Sequence, residues 1–292
     1  MPALTLHKLA VFGVGLIGGS FAAALRAAGL VHRVAGVGRS RDNLERAAAL
    51  GLIDEIAEDA ATALDGSDLA LVAVPVRQTE AVLERIGAHL PPACVVTDAG
   101  STKQDVVAAA RRTLGPRAAQ FVPGHPIAGA ELSGAQAAAP TLFRDRLVVL
   151  TPLPETEPRA CAVVEAAWRG CGARPVQMTP QRHDQVFGAV SHLPHALAFA
   201  LVHMLAERAD AQELFAFAGA GFRDFTRIAG SSPEMWRDIC LANRDALGVE
   251  IAAFQRSLAA LAAHLERGDA QAVERLFEAA RAARRRPPPG VE

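Results

Sequence analysis

The sequence predicts the α/β fold class, with a parallel-sheet domain over residues 1–179 and an all-helical domain over residues 180–286. Up to about Met178, short apolar runs alternate with helix-length amphipathic segments, which is the pattern of βαβ units that build a parallel sheet. After Thr179 the turn-forming clusters become rare, and long segments with the 3.6-residue apolar period of a helix follow. A chain of 292 residues can bury a large core and is long enough for about two domains.

Within the first domain, seven short apolar runs are predicted to be strands. Ala-rich and Arg-rich segments of helical length lie between them. The runs are Leu9–Val14, Arg33–Val37, Leu69–Val74, Val95–Asp98, Gln120–Gly124, Leu147–Leu150 and Pro175–Met178. We expect these strands to form a parallel sheet.

Long helices are predicted in the second domain from their apolar period. The predicted segments are Val190–Ala206, Met235–His264 and Ala270–Arg285. Ser232 followed by Pro233 is typical of an N-cap and the first residue of a helix. The tail over residues 287–292 begins with three consecutive prolines, which cannot continue a helix, so we expect it to be disordered.

Composition excludes several classes of protein. The formal net charge is −1 and no basic stripe interleaved with aromatic residues is present, so no nucleic-acid partner is expected. The N-terminus lacks the features of a secretory signal, and no apolar stretch reaches the roughly 20 residues of a membrane span. The four cysteines are too scattered for a zinc motif and too few for a disulfide framework. We therefore expect a cytoplasmic protein without a membrane partner.

A glycine pattern, G-x-G-x-x-G, lies between the first predicted strand and an Ala-rich helix. In that context the first glycine allows a tight turn, the second lets the backbone approach a pyrophosphate, and the third allows close helix–strand packing. The phosphate then lies at the helix N-terminus, so the pattern indicates a Rossmann dinucleotide-binding domain. The predicted cofactor-binding residues of this part of the site are Gly13, Gly15, Leu16, Ile17, Gly18, Val74 and Pro75.

The choice between NADP and NAD depends on the residues about 20 positions beyond the last glycine. Sites selective for NAD carry an Asp or Glu there for the ribose 2′-hydroxyl. This chain has Arg39, Ser40 and Arg41 instead, and guanidinium and hydroxyl groups suit a 2′-phosphate. NADP is therefore the predicted cofactor and NAD the alternative. The two arginines can also be simple exposed residues at a helix start.

Four further segments are unusual for surface loops. They are Asp98–Lys103, Gly124–Glu131, Ser191–His195 and Gly221–Ala229, the last closely followed by Trp236-Arg237-Asp238. In this order after the glycine pattern, the set resembles the prephenate/arogenate (cyclohexadienyl) dehydrogenases over about residues 6–281. The resemblance implies a Rossmann domain, a helical dimerisation domain similar to the C-terminal domain of 6-phosphogluconate dehydrogenase, a homodimer, and an active site between the two domains.

The implied reaction is the oxidative decarboxylation of prephenate or arogenate in tyrosine biosynthesis. Oxidation of the alcohol needs a base while hydride leaves for the nicotinamide, and a neutral imidazole suits this role near pH 7. By resemblance the base is His125, which follows a predicted strand at the carboxyl edge of the sheet. Ser101 corresponds to a catalytic serine that bridges the substrate hydroxyl and the nicotinamide. Its alternative role is the N-cap of the helix that begins near Lys103.

The substrate is a dianion, which needs cationic or strong hydrogen-bonding partners in a partly dry cleft. By resemblance, Arg227 binds a carboxylate, and His195 and His192 contact the substrate. Glu131 corresponds to an acidic residue that gates entry, or it is an exposed glutamate. Trp236 is expected to line the pocket, or to be a core residue.

Other possible functions would require different residues. His192 and His195 have the i,i+3 spacing of metal ligands, but Pro194 between them and the absence of an H-E-x-x-H pattern predict no metal. The β-hydroxyacid and 6-phosphogluconate dehydrogenases use a lysine of the helical domain, and residues 180–292 contain none. Because tyrosine is absent, reductases that protonate substrate with a Tyr and Lys pair are excluded. A non-catalytic NADP-binding sensor stays open. The sequence does not distinguish prephenate from arogenate.

Overall fold

The computed structural model describes residues 4–129 and 134–286. Glu131 and the tail over residues 287–292 therefore lie outside the described residues, and the expectations for them stay predictions.

A six-stranded parallel sheet forms the first half of the protein. Its strands are β1 (Leu6–Phe12), β2 (Val31–Val37), β3 (Glu55–Ile56), β4 (Leu69–Val72), β5 (Val95–Asp98) and β6 (Phe121–Val122). The spatial order is β3-β2-β1-β4-β5-β6, which is the order of a Rossmann fold. The order in which strands are added to the sheet reverses between β1 and β4, which are parallel, and open α/β sheets bind ligands at such a switch point. The predicted fold class is confirmed.

Helices cover both faces of this sheet because its strands are apolar on both sides. The helices are α1 (Leu16–Ala27), α2 (Arg41–Ala49), α3 (Ala60–Leu64), α4 (Thr79–His89), α5 (Gln104–Leu114) and α6 (Pro158–Gly170). On one face the ring of Trp168 packs edge-on against Phe21 at 4.5 Å and against Phe143 at 5.1 Å. On the other, Leu83 and Ile86 of α4 pack into a second buried cluster with Phe121.

A second, smaller sheet follows, and here the prediction of one parallel sheet was wrong. It consists of β7 (Gly124–Pro126), β8 (Leu147–Leu150) and β9 (Arg174–Gln177), in that order. The β7 strand runs antiparallel to β8, and His125 pairs with Val149. The predicted strand Gln120–Gly124 is divided at Pro123, which has no N–H to donate to a sheet ladder. The division carries His125 away from the first sheet.

All regular elements described after β9 are helical, as predicted. They are α7 (Pro180–Phe187), a π-helical turn (Gly188–His192), α8 (Leu193–Ala206), α9 (Ala211–Ala216), α10 (Ala220–Thr226), α11 (Pro233–Ala242), α12 (Arg244–Glu266) and α13 (Ala270–Arg284). The predicted N-cap is present, because Ser232 Oγ accepts a hydrogen bond from the backbone N–H of Met235 at 3.3 Å. The single helix predicted over Met235–His264 is interrupted at Asn243. The side chain of Asn243 is turned inward and hydrogen-bonds to Asp184 and His192.

Two long apolar helical stretches of the helical half are largely exposed, because the rest of the chain packs against little of their surface. Two described helical stretches, Pro180–Ala206 and Arg244–Glu266, are long and apolar enough to span a membrane, although length and composition alone are weak evidence of a span. The prediction that no stretch of this length exists was therefore wrong, because these helices stay apolar on average despite isolated polar residues. In their most apolar 18-residue segments, only 11% and 6% of the residues are buried.

The turn between β1 and α1 brings three backbones together. Gly13 has φ +100°, and a Cβ there would collide with the carbonyl oxygen of Ala73 beyond β4. A Cβ on Gly18 would collide with the carbonyl oxygen of Gly13 and lie 2.8 Å from Val11 Cγ1. A Cβ on Gly15 would have no atom within 4 Å. Two of the glycines thus serve packing, whereas the third leaves open space beside the helix N-terminus.

This difference predicts that one alanine substitution lowers stability and the other weakens cofactor binding. Gly18→Ala should lower the free energy of unfolding by about 1–3 kcal/mol, because the added methyl group overpacks the α1–β1 contact. Gly15→Ala should change it by less than about 1 kcal/mol but weaken dinucleotide binding at least about tenfold, since the methyl group fills the space a pyrophosphate would take. Denaturant unfolding and cofactor titration measure the two effects. Equal destabilisation by both substitutions would contradict this division of roles.

Candidate active site

The predicted cofactor turn lies at the switch point of the first sheet. Gly15 occupies the N-cap position of α1, and no side chain caps this helix. The backbone N–H groups of the first turn, which includes Leu16 and Ile17, therefore point toward open space with the positive end of the helix dipole. Val74, beyond β4, lies against the turn, with its Cγ1 about 3.0 Å from where a Gly13 Cβ would be. Pro75 follows it and is exposed.

Asn43 fixes this turn from the side, a role that the sequence analysis missed. Its Nδ2 donates to the carbonyl oxygen of Val14 at 2.7 Å, and its Oδ1 accepts from the backbone N–H of Ala135 at 2.9 Å. No local pattern distinguishes it from other polar residues of an exposed helix. The contact becomes visible only when α2 is placed beside the turn.

The three residues predicted to select NADP lie between β2 and the first turn of α2, and all are exposed. Ser40 Oγ caps α2 by accepting from the backbone N–H of Asn43 at 3.2 Å. Arg41 Nε donates to Glu45 Oε1 at 2.8 Å, one helical turn away. Arg39 has no such intrahelical pair in the described structure. Arg41 is thus already partly neutralised, and Arg39 is the stronger candidate for a phosphate partner.

His125, the predicted base, lies in β7 with its imidazole packed between two residues of α7. Its Nδ1 is 2.8 Å from Nε2 of His183, and its ring centroid is 4.9 Å from that of Phe187. Burial lowers the pKa of His125 well below the ordinary value of 6.5, and the nearby His183, Lys103 and His192 lower it further. The ring is therefore neutral near pH 7.

A buried ion pair supports the strand that carries His125. Lys103 Nζ donates to Asp98 Oδ2 and, at 2.7 Å, to the carbonyl oxygen of Gly124. Asp98 Oδ1 accepts from the backbone N–H of Gly124 at 3.0 Å, and Oδ2 accepts from that of Gly100 at 2.8 Å. Each charge is thus paired, as a buried charge must be to avoid a large desolvation cost. The pair holds the end of β5 to the start of β7.

Asp184 of the helical half binds the N-terminus of α5 in the Rossmann half. Its Oδ1 accepts from the backbone N–H of Lys103 at 2.8 Å and its Oδ2 from that of Gln104 at 2.9 Å. The same Oδ1 lies 2.8 Å from Nδ1 of His183. Burial raises the pKa of Asp184, but the hydrogen bonds from His183, Gln104 and Lys103 outweigh this effect and lower it. Asp184 is therefore a buried, ionised carboxylate.

Ser101 lies in the loop just before this capped helix. The alternative role of Ser101 as N-cap of α5 does not fit, because Lys103 occupies the N-cap position and Asp184 takes the N–H groups of the helix start. Its side chain is only partly buried. The Ser101 hydroxyl is thus left for another partner.

His192 lies next to the backbone of Ser101 and is almost completely buried. Its Nδ1 is 2.9 Å from Nδ2 of Asn243, which also donates to the carbonyl oxygen of Asp184 at 2.8 Å. Burial lowers the pKa of His192 to about 4, while the backbone carbonyl of Ser101 acts in the opposite direction. With one ring nitrogen bound to Asn243 and the other facing this carbonyl, His192 supports the Ser101 loop.

His195 and Trp236 pack together next to His192 and form the wall of the candidate substrate site. Their rings stack with centroids 3.6 Å apart and an angle of 18° between planes. His195 Nδ1 donates to the carbonyl oxygen of Ser191 at 2.9 Å, which leaves its Nε2 free to accept. Burial lowers the pKa of His195, and the charge of the exposed Arg227 contributes. His195 therefore lies close to both Trp236 and Arg227.

Some residues of this network could be found from the sequence and others could not. Asp98 and Lys103 lie in a segment that had been singled out, but their pairing was not foreseen. His183 and Asp184 had no signal, because His183 is 58 positions from His125 and Asp184 is 81 from Lys103. Among the described residues, no group of three His, Cys, Asp or Glu side chains is placed to hold a metal ion.

Comparison with known proteins places the whole chain in one family. Residues 21–177 match the family model of the prephenate dehydrogenase nucleotide-binding domain, and residues 179–279 match that of the prephenate dehydrogenase dimerization domain. Prephenate dehydrogenase of Bacillus subtilis is 38% identical over 272 residues, which is 92% of this chain and 73% of that protein. Cyclohexadienyl dehydrogenase of Zymomonas mobilis is 35% identical and aligns over 84% of each chain.

Solved structures agree with the sequence comparisons. Prephenate dehydrogenase from Aquifex aeolicus, solved in complex with hydroxyphenyl propionate and NAD+, superposes with a TM-score of 0.91 at 36% identity. The superposition covers 96% of this chain and 98% of that one. Synechocystis arogenate dehydrogenase superposes with a TM-score of 0.81 at 30% identity, over 95% and 98% of the two chains. The fold, the two matched domains and the agreement over almost the full length show that this chain belongs to the prephenate dehydrogenase family of oxidoreductases.

Proposed function

We propose that the protein catalyses the oxidative decarboxylation of prephenate, arogenate or both, with hydride transfer to NADP, as a step of tyrosine biosynthesis. The observation that carries the proposal is the half-buried, neutral imidazole of His125, which lies in a strand held by Asp98 and Lys103, the residues on either side of the Ser101 loop. The products would be 4-hydroxyphenylpyruvate from prephenate and tyrosine from arogenate. Absorbance of the reduced nicotinamide, measured with each substrate and each cofactor, tests this directly.

The relatives support the reaction class but not one substrate. Their names include prephenate, cyclohexadienyl and arogenate dehydrogenases. A 4-amino-4-deoxyprephenate dehydrogenase of Streptomyces pristinaespiralis is also 30% identical over 75% of this chain. Members of the family thus act on related cyclohexadienyl acids. We accordingly keep prephenate and arogenate as joint candidates.

The cofactor fits the switch point of the Rossmann sheet. The open space at Gly15 and the uncapped N-terminus of α1 suit a pyrophosphate, held by the turn over Gly13–Gly18 with Val74 and Pro75 opposite. When bound, the nicotinamide supplies the acceptor for a hydride. The protein must then place the carbon that loses the hydride and remove the hydroxyl proton.

In this mechanism His125 takes the proton from the C4 hydroxyl as the hydride leaves that carbon. Ser101 orients the same hydroxyl from the loop before α5. Oxidation leaves a dienone, and loss of carbon dioxide from it produces an aromatic ring, so decarboxylation needs little further help. The residues thus act mainly by orientation and by general-base catalysis.

The carboxylates of the substrate are assigned to the wall formed by His195 and Trp236, with Arg227 nearby. A guanidinium can bind a carboxylate through two parallel hydrogen bonds. His192 is assigned a supporting role behind Ser101 rather than direct contact, because Asn243 binds its Nδ1. Glu131 stays a candidate for gating outside the described residues.

Replacing the base tests the mechanism. His125→Asn should reduce kcat by roughly a hundredfold or more, because general-base catalysis contributes about 10²–10⁴. Cofactor binding should stay unchanged, since the turn over Gly13–Gly18 is not altered. In the wild type, kcat/KM should stay flat as the pH falls to 6.5, the ordinary value for histidine, and decline only below it. The reason is that a lowered pKa keeps the imidazole neutral at lower pH. Near-normal kcat in the variant would refute the assignment.

Cofactor choice is tested by a matched pair of arginine substitutions. Arg39→Ala should weaken NADP binding about 10–100-fold, because a charge-assisted hydrogen bond to the 2′-phosphate is lost, and should leave NAD binding almost unchanged. Arg41→Ala should have a smaller effect, since Arg41 already pairs with Glu45. Dissociation constants for both cofactors at fixed ionic strength decide the matter. A wild-type preference for NAD, or equal losses for both cofactors, would contradict the NADP assignment.

We further propose that the protein is a homodimer through its helical half. The second matched family model is described as a dimerization domain. Large apolar side chains are exposed along the helices of this half, which indicates an uncovered interface. They include Val190, Met204, Val249, Leu258 and Leu265. A second copy would bury the two apolar stretches that fold alone with little cover.

Measuring the oligomeric state of two variants tests whether this apolar surface is the dimer interface. Leu258→Asp should convert the dimer to a monomer, or raise its dissociation constant by at least about a hundredfold, because a buried charge lacks a partner. Leu50→Asp is the control, since Leu50 is 54% exposed and Leu258 50%, but Leu50 lies on the Rossmann half. Light scattering after size exclusion measures the mass. A monomeric wild type would reject the proposal.

Cytoplasmic location remains part of the proposal and rests on the cysteines. Cys94, Cys161, Cys171 and Cys240 are all free thiols. Burial raises the pKa of Cys94 to about 12, so this thiol is unreactive. Free, unpaired thiols are typical of a reducing compartment.

A further inference from the structure

A chain of three hydrogen-bonded side chains leads from the half-buried His125 into the helical half. His125 Nδ1 lies 2.8 Å from His183 Nε2, and His183 Nδ1 lies 2.8 Å from Asp184 Oδ1. His183 and Asp184 are essentially inaccessible to solvent. Water therefore cannot replace either partner, and each hydrogen must lie on one definite nitrogen.

The carboxylate at the end of the chain sets the direction of both hydrogen bonds. Asp184 already accepts two backbone N–H groups, and as an ionised carboxylate it can only accept. His183 Nδ1 must therefore carry the hydrogen. In a neutral imidazole the other nitrogen is then an acceptor, so His183 Nε2 accepts the hydrogen of His125 Nδ1. This leaves the lone pair of His125 on Nε2.

The charges around His125 explain why such a chain is needed. When the base takes a proton, its ring becomes cationic beside the buried Lys103. The Lys103 charge is balanced by Asp98, and His192 on the other side is neutral near pH 7. Asp184, reached through His183, is an anion that can stabilise the cationic ring.

We propose that His183 and Asp184 are positioning residues for the catalytic base. They hold His125 in the tautomer whose Nε2 lone pair faces the substrate, and they stabilise the ring once the hydroxyl O–H bond breaks and the N–H bond at Nε2 forms. This inference rests on the proposed function of His125. It assigns the two residues no contact with substrate or cofactor.

The proposal also links catalysis to the docking of the two halves. Asp184 reaches the chain only because α7 packs against α5, where the carboxylate caps the helix that follows the Ser101 loop. Asn243 Nδ2 donates to the backbone carbonyl oxygen of Asp184 and so holds the same residue in place. One carboxylate thus contacts both the helix that follows Ser101 and the ring that binds His125.

Two substitutions of His183 separate positioning from simple packing. His183→Phe keeps an aromatic ring against Phe187 but has no nitrogen, so it cannot orient His125. His183→Gln offers a carbonyl oxygen to His125 Nδ1 and an amide N–H to Asp184, and so reproduces both hydrogen bonds. Gln185→Ala, at an exposed position on the same helix, is the control.

We expect His183→Phe to lower kcat at least about tenfold with little change in KM for substrate, and His183→Gln to recover most of the loss. Nitrogen NMR of ¹⁵N-histidine-labelled protein gives a second readout, with the His125 signals assigned from His125→Asn. In the wild type and in His183→Gln, Nδ1 of His125 should be protonated. In His183→Phe the ring should shift toward the Nε2-protonated form. Thermal unfolding confirms that each variant is folded.

The outcomes are distinct. Wild-type kcat in His183→Phe, equal losses in both His183 variants, or an unchanged His125 tautomer in His183→Phe would overturn the positioning role. If His183→Phe does not fold, the tautomer in the wild type decides, because an Nε2-protonated His125 contradicts the proposed chain. Failure of the wild type to oxidise prephenate or arogenate would reject the proposed function instead. The NMR result does not depend on turnover.

Discussion

The buried carboxylate of Asp184 is the contact on which the arrangement of the active site depends. It is an anion removed from water, which is costly unless donors replace the lost solvent. Two backbone N–H groups at the start of α5 and the ring of His183 supply those donors. Because the donors come from both halves of the chain, satisfying the carboxylate also fixes the two halves against each other at the site.

A second buried pair, Lys103 with Asp98, determines the electrostatics of the base. Both side chains are almost inaccessible to solvent, and each also binds backbone groups at Gly100 or Gly124. Removing one partner would leave an uncompensated buried charge, whereas the complete pair is neutral overall. A fixed cation near His125 disfavours its protonated form. This keeps the base ready to accept a proton at neutral pH.

The π-helical turn over Gly188–His192 joins α7, which carries His183 and Asp184, to α8, which carries His195. An ordinary α-helix would place the ring of Pro194 against the carbonyl of Val190, and the wider turn avoids that clash. Local backbone chemistry therefore places His192 behind Ser101 and leaves His195 on the wall beside Trp236.

The fold class and the glycine turn could be predicted from local sequence patterns, and the resemblance of short segments to one family identified His125, Ser101 and Arg227 as candidates. Periodicity and turn chemistry are local properties, and short motifs keep their meaning wherever the chain folds. Local rules also explain the wrong prediction of a single sheet. An apolar run indicates a strand but not its partner, and the interruption at Pro123 was not recognised.

The contacts between these residues could not be predicted from the sequence and became visible in the folded chain. Three contacts are of this kind: the hydrogen bonds of His183 to His125 and Asp184, the cap of α5 by Asp184, and the pairing of Lys103 with Asp98. The periodicity of the sequence does not indicate the partners in any of them. The helix break at Asn243 likewise follows from hydrogen bonds to Asp184 and His192, 59 and 51 positions away. Sequence patterns report which face of an element is buried. They do not report which buried polar groups satisfy one another, because that depends on how separate elements pack.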